Sequence, residues 1–300
     1  MSQHNIAVVG LGSMGYGMAQ SLLKAGHAVQ GFDINPDTAR RFEAEGGLTG
    51  SLRDAAARSD ILIIVVLNAA QTENVLFGEN GWAADLKEGA TVVGCATVPP
   101  EFARDMATRC ADHGLHYLDA PISGGAAKAA LGKLSIMASG TPDAFVGAAP
   151  ALDAMAETVF RLGDAAGAGS AMKAVNQLLA GVHIAAMAEA LTFGMTQGVA
   201  PEKFVEVISQ CAGNSWMLEN RAPHIVAGDY TPRSSVDIWP KDLGIVLDIA
   251  KSARFSAPLT AAALQQFLAA SGSGLGAEDD AAVAKVYARN AGLVLPGEDA

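Results

Sequence analysis

Over the first half of the chain, short apolar runs alternate with stretches whose apolar positions recur every three or four residues. The runs at 6–9, 28–32, 61–66, 91–93, 116–119 and 134–138 are too short for helices and predict strands. Helical periodicity fills the intervals at 16–25, 36–45, 52–58, 71–77, 100–112 and 142–155. The alternation predicts an α/β fold with a mostly parallel, doubly wound sheet. A glycine-rich break at 163–169 sets the expected boundary between residues 1–164 and 165–300. Beyond it the strand signals vanish. Residues 170–198 read as one long helix, capped by Ser170, stopped near Gly198 and buried on several sides. Lys173, Asn176, Gln177, His183 and Glu189 within it argue against a membrane span. Further helices are expected at 201–212, 243–252, 258–271 and 279–289, giving an all-helical second domain.

The first strand enters Gly10-Leu11-Gly12-Ser13-Met14-Gly15, a helix follows, and the second strand ends in Asp33. Strand, glycines, helix, strand and acid together form the dinucleotide-binding fingerprint of a Rossmann-type domain. Gly10 permits the tight turn, Gly12 lets the backbone approach a pyrophosphate, and Gly15 lets the helix pack on the strand. An acid at Asp33 accepts hydrogen bonds from the adenosine ribose and repels a 2′-phosphate. No Arg follows it directly; Ile34, Asn35 and Pro36 do, with Arg40 and Arg41 further on. The expected cofactor is therefore NAD rather than NADP. Asp33 also reads simply as a turn acid before Pro36.

Thirty-one acidic against twenty basic residues leave a formal charge of −11. That excludes a generic nucleic-acid or anionic-membrane surface, which needs a basic face. It leaves small anionic substrates open. Cys95, Cys110 and Cys211 are widely spaced, with neither disulfide nor zinc spacing, and no metal site is expected. No leader pattern precedes the first strand, and the cytoplasm is the expected compartment.

Three constellations could carry chemistry. The first is Asp119-Ala-Pro121-Ile-Ser123-Gly124-Gly125 after the fifth strand. Its hydroxyl and unobstructed N–H groups suit a carboxylate; a plain turn after an edge strand reads equally well. The second is Lys173, Asn176 and Gln177, which share a helix face at i, i+3 and i+4. Burial of an amine favours its neutral form, the form that accepts a proton. A surface lysine at a helix start is the plainer reading, although a cation is disfavoured there. The third, Trp239-Pro-Lys241-Asp242-Leu243, could bring Lys241 to a carboxylate or cofactor, with Asp242 a helix N-terminal acid. His183 lies too far along the helix to pair with Lys173, Cys95 has no evident His–Asp partners, and Asp279-Asp280 reads as a cap.

Taken together, Gly10–Gly15, Asp119–Gly125, Gly167–Asn176 and Lys241-Asp242-Leu243 resemble four motifs, in order, of the 3-hydroxyisobutyrate dehydrogenase family, the β-hydroxyacid dehydrogenases. The resemblance covers nearly the whole chain. It implies NAD(P)-dependent oxidation of an alcohol near a carboxylate, an all-helical second domain and a homodimer or homotetramer. It assigns general acid/base catalysis to Lys173. Substrate contacts pass to Ser123, Gly124, Gly125, Asn176 and Gln177. Cofactor contacts pass to Gly10, Leu11, Gly12, Ser13, Met14, Gly15, Asp33, Leu67, Asn68, Thr97 and Lys241. The chain departs from the family pattern at Asn68, where Pro is frequent, and at Ala96, where Ser is frequent. Gln177 replaces the second Asn of the hydroxyisobutyrate branch and matches the tartronate semialdehyde reductase branch. Residues 215–250 look most like the L-threonate dehydrogenase branch, which implies oxidation of L-threonate to 2-dehydro-L-erythronate. Hydroxyisobutyrate oxidation and tartronate semialdehyde reduction are the alternatives within the family. A non-catalytic NAD-binding scaffold or an imine reductase on a similar fold are the alternatives outside it, and Lys173 argues against both.

Overall fold

The computed structural model describes residues 2–48 and 50–298. The chain divides into two compact units, Met1–Lys173 and Ala174–Ala300. The first unit continues past the expected break at 164 because the residues after it are bonded back into it, as described below.

In the first unit, β1 (Asn5–Val9), β2 (Ala28–Phe32), β3 (Ile61–Ile64), β4 (Thr91–Gly94) and β5 (His116–Asp119) form a parallel sheet in the order β2-β1-β3-β4-β5. Helices α1 (Gly15–Lys24), α2 (Pro36–Ala44), α3 (Leu52–Arg58), α4 (Ala69–Phe77) and α5 (Pro100–Asp112) connect its strands. A short β6 (Ile122–Ser123), α6 (Gly125–Ala130), β7 (Leu134–Ala138), α7 (Pro142–Met155) and β8 (Ala156–Arg161) complete it. Alternate strand residues feed two cores. Ile6, Val8, Ile61, Ile63, Val93 and Leu118 pack with α1 and α7, whereas Ala7, Leu62, Ile64, Val92 and Tyr117 pack with α3 and α5. Burial on both faces explains why these strands are continuous apolar runs rather than alternating ones. Asn35, Ser51, Asn68 and Thr141 each cap the helix that follows by accepting a first-turn N–H.

Three features depart from expectation. β7 is not a strand of the main sheet. It lies in a separate three-stranded sheet, antiparallel to β6 and parallel to β8, and reaches β5 through an antiparallel bridge between Asp119 and Ser139. β8 has no counterpart among the expected elements, because nearly all of its residues are exposed and its one apolar pair, Val159-Phe160, is too short to mark a strand. Nor does α6, whose Gly-Ala-Ala sequence looks like a turn.

The second unit is helical; among its described residues there is no strand. The long α8 (Ala168–Thr196) begins in the first unit. It is followed by α9 (Pro201–Ile208), α10 (Trp216–Ala227), α11 (Ile238–Ser252), α12 (Pro258–Ala270), a 3-10 turn (Asp280–Val283) and α13 (Ala284–Asn290). By length and composition α8 is apolar enough to cross a bilayer, yet it carries the five polar residues named above. It is less enclosed than expected: Met172, Val175, Leu179 and Phe193 are exposed. α10 was hidden from the sequence pattern by an internal Pro223. α11 opens before Pro240 rather than at 243, because Pro is tolerated in a first turn whose N–H groups have no helical acceptor.

Asp279 does cap the turn it opens, accepting the Ala281 N–H at 3.2 Å. Asp279-Asp280 is more than a cap, however. Asp280 is fully buried and receives Arg221 Nε at 2.5 Å, Arg221 Nη2 at 3.2 Å and Trp239 Nε1 at 3.0 Å. Asp279 pairs with His224 at 2.9 Å. These bonds tie α10, α11 and the C-terminal segment into one core. Burial pushes the Asp280 carboxyl up, against the opposing pull of Arg221. Arg221→Ala should leave a buried carboxylate uncompensated and lower unfolding stability by about 3–5 kcal/mol in urea denaturation; a loss below about 1 kcal/mol would contradict this packing.

Candidate active site

The loops that follow the carboxyl ends of β1 to β5 hold most of the expected site residues of the first unit. This is where open α/β sheets bind ligands. The turn after β1 is locked by its glycines. Gly10 has a φ of +95°, and a side chain on it would collide with the Val65 carbonyl; one on Gly15 would collide with the Gly10 carbonyl. Gly12 differs: an added Cβ would meet nothing within 4 Å. Gly12 and Ser13 are exposed, Leu11 and Gly15 buried, and α1 has no side-chain cap and no acid in its first turn. The arrangement is an open backbone cradle at an uncapped helix start, which fits a pyrophosphate.

Asp33, at the end of β2, accepts the Leu11 N–H at 2.7 Å and the Asn35 N–H at 2.8 Å. Its carboxylate therefore braces the glycine loop, beyond the expected ribose contact. Arg40 is paired with Asp37, and the Arg41 guanidinium lies 4.0 Å from the Tyr16 ring centroid. After β3, exposed Leu67 gives its N–H to Gln71 Oε1, and Asn68 caps α4 by accepting the Gln71 N–H at 2.9 Å. A cap is what this chain gains from Asn at a position where Pro is frequent. Thr97, half-buried, follows β4.

The segment after β5 is the centre of the unit. Asp119 is 1% exposed and accepts four hydrogen bonds. Oδ2 takes the N–H of Gly167 and that of Ser170, both at 2.9 Å, and the Ser139 hydroxyl at 3.1 Å. Oδ1 takes the Ser170 hydroxyl at 2.6 Å. Ser139 in turn accepts the Gly169 N–H at 2.9 Å. The expected capping role of Ser170 is thus corrected. α8 begins at Ala168, Ser170 sits inside its first turn, and the carboxylate of Asp119 satisfies the orphan N–H groups. Burial pushes the Asp119 carboxyl up, while the bonds from Ser170, Gly167 and Ser139 oppose that shift. One turn into α8, Lys173 is buried, and its Nζ donates to the Ile122 carbonyl at 2.9 Å. Residues 119–122 therefore hold both the start of the helix and the amine it carries. Ser123 is half-buried next to this carbonyl, and Gly124 and Gly125 have positive φ values of 132° and 79°. Cys95 takes no part: burial pushes its thiol up to about 12.

The second unit holds the remaining expected residues. Gln177 is buried and Asn176 half-buried. Asn176 Nδ2 donates to Gln177 Oε1 at 2.9 Å, and Gln177 Nε2 donates to Asp242 Oδ2 at 2.5 Å. Lys241 Nζ lies 2.7 Å from Asp242 Oδ1. Asp119, Ser139 and Asp242 were not among the expected site residues. Apart from Lys241 beside Asp242, their partners lie 20 to 65 positions away in the chain, so no local pattern marks them. Among the described residues no cluster could hold a metal ion.

Asp119→Asn should lower stability by about 2 kcal/mol, since an amide offers one acceptor where four donors converge. It should also reduce kcat by loosening the helix start. Unchanged melting and turnover would contradict the bracket.

Comparison with known proteins agrees with this geometry. A family model described as the NAD binding domain of 6-phosphogluconate dehydrogenase matches residues 5–163. One described as NAD-binding of NADP-dependent 3-hydroxyisobutyrate dehydrogenase matches residues 167–287. The chain is 52% identical to an L-threonate dehydrogenase of Cupriavidus necator, covering 98% of each chain. It is 46% identical to that of Escherichia coli K12, covering 99% of this chain and 98% of the relative. A solved 3-hydroxyisobutyrate dehydrogenase from Salmonella typhimurium superimposes with a TM-score of 0.89 at 47% identity, covering 95% of this chain and 100% of that one. With a dinucleotide cradle, a buried lysine and the four motifs in order, the chain belongs to the 3-hydroxyisobutyrate dehydrogenase family of NAD-dependent hydroxyacid dehydrogenases.

Proposed function

We propose that this enzyme oxidises L-threonate at C2 to 2-dehydro-L-erythronate, with NAD as cofactor and Lys173 as general base. The observation that carries the reading is the Lys173 amine, 2.9 Å from the Ile122 carbonyl and so beside the Ser123–Gly125 turn. The identity to L-threonate dehydrogenases over almost the full length supports the choice of acid. In this reading Ser123 and the N–H groups of Gly124 and Gly125 hold the carboxylate. Neutral Lys173 accepts the C2 hydroxyl proton, and Asn176 Nδ2 donates to the same oxygen. Bound NAD supplies the hydride acceptor. In the reverse direction the Lys173 ammonium returns the proton. Residues 1–164 hold the dinucleotide through Gly10–Gly15, Asp33, Leu67, Asn68 and Thr97, with Lys241 as a further cofactor contact, while residues 165–300 otherwise serve substrate and assembly.

NAD is favoured over NADP because the Asp33 carboxylate stands at the end of β2 and both following arginines are engaged, Arg40 with Asp37 and Arg41 over Tyr16. The same reading places the enzyme in the cytoplasm as a homodimer or homotetramer. Exposed Met172, Val175 and Leu179 recur at helical spacing on α8 and offer an apolar stripe to a second copy. Light scattering should give two or four chains; a monomer at micromolar concentration would remove the stripe's role.

NADH formation at 340 nm tests the reaction. Among L-threonate, D-threonate, D-erythronate, D-glycerate and 3-hydroxyisobutyrate, each with NAD and NADP, kcat/KM should be highest for L-threonate with NAD. Preference for glycerate or hydroxyisobutyrate would overturn the substrate, and equal use of NADP would overturn the role of Asp33. Lys173→Ala should lower kcat by ~10²–10⁴-fold; unchanged turnover would sink the role of the amine.

A further inference from the structure

The second unit contains a chain of hydrogen bonds whose direction is not free. Asp242 is 2% exposed and forms an ion pair with Lys241, whose Nζ stands 2.7 Å from its Oδ1. An ionised carboxylate only accepts. The Gln177 amide must therefore turn its NH₂ group to Asp242 Oδ2, at 2.5 Å. That leaves Gln177 Oε1 as an acceptor, and Asn176 must in turn offer its NH₂ group, at 2.9 Å. Each amide's orientation follows from the charge at the end of the chain, so the assignment of oxygen and nitrogen is dictated rather than arbitrary. At the far end, Asn176 presents Oδ1 and its second Nδ2–H. α8 and α11 also approach closely one turn further on. A Cβ on Gly181 would lie 2.8 Å from Leu243 Cδ2.

We propose that this fixed polarity makes Asn176 a two-point reader of a vicinal diol, so that the enzyme selects 2,3-dihydroxy acids over acids lacking the C3 hydroxyl. The inference rests on the reading above, in which the C2 hydroxyl gives its proton to Lys173. The C2 oxygen then needs a donor, which is the second Nδ2–H. Oδ1 is not used by that hydroxyl and accepts from the neighbouring one at C3. A buried acceptor left without its hydroxyl penalises the deoxy substrate, which is how such sites discriminate. Asp242 is then a positioning residue. It touches no substrate and acts through Gln177. Beside it stands Lys241 on its own helix.

The test compares kcat/KM for L-threonate and for its 3-deoxy analogue, 2,4-dihydroxybutyrate of the same C2 configuration, with NAD. The wild type should prefer the diol by at least about tenfold. In Asp242→Asn the Lys241 ammonium draws the new amide's oxygen, its NH₂ group faces Gln177, and the whole chain reverses. Asn176 then loses its acceptor, and the preference should collapse towards unity through loss on the diol. In the double variant Asp242→Asn, Gln177→Glu the new carboxylate accepts from both neighbours. Asn176 regains its original direction, and the preference should return. Loss of both substrates in equal proportion, an unchanged ratio in Asp242→Asn, or a double variant no better than the single one would each overturn the proposal. A wild type that oxidises both acids without preference would overturn it while leaving the dehydrogenase reading intact. A wild type that oxidises neither would overturn the reading on which it rests.

Discussion

Everything chemical in the first unit depends on one buried carboxylate. Asp119 ends β5, and a carboxylate taken out of water is costly unless donors surround it. Here the donors are the N–H of Gly167 just before α8, that of Ser170 in its first turn, and two serine hydroxyls. The need is mutual, because the start of a buried helix has N–H groups with no helical acceptor. Each side satisfies the other, and the helix start is welded to the end of the sheet. Three residues after Asp119, the Ile122 carbonyl at the start of β6 receives the Lys173 amine. A side chain with four rotatable bonds is thereby held at a fixed place beside Ser123. Catalysis by a positioned amine needs this kind of constraint more than it needs any special property of lysine.

A second charge does comparable work in the second unit. Asp242 fixes the direction of two neutral amides that could each be turned either way, and so decides whether Asn176 offers an oxygen. The two acids share a logic. Neither has a substrate contact in the proposed mechanism; each sets the geometry of a residue that is proposed to make one. Asp280 shows the structural counterpart, a buried acid whose partners Arg221 and Trp239 only hold helices together.

Much of this fold is legible in the sequence. The sheet strands are short runs of Val, Ile and Leu because they are buried on both faces, and the helix starts are marked by Asn35, Ser51, Thr141 and by prolines. The misses have local causes. β8 is an exposed strand, α6 is built from Gly and Ala, and α10 carries Pro223. At the site, the glycine loop and the spacing of Lys173, Asn176 and Gln177 are local patterns and can be read directly. The roles of Asp119 and Asp242 cannot, since a lone acid after a strand or at a helix start has many local explanations. Only the approach of residues distant in sequence selects among them.

Native-state hydrogen exchange at the Gly167 and Ser170 amides measures the bracket most directly. Gly167 immediately precedes α8 and Ser170 lies in its first turn, and amides at such positions of an ordinary uncapped helix fray and exchange through local opening. If Asp119 holds them as described, both amides exchange only through global unfolding, with the same free energy as the central strands β1 and β3. Exchange at the rate of an exposed helix end, with the core amides still protected, would contradict the account.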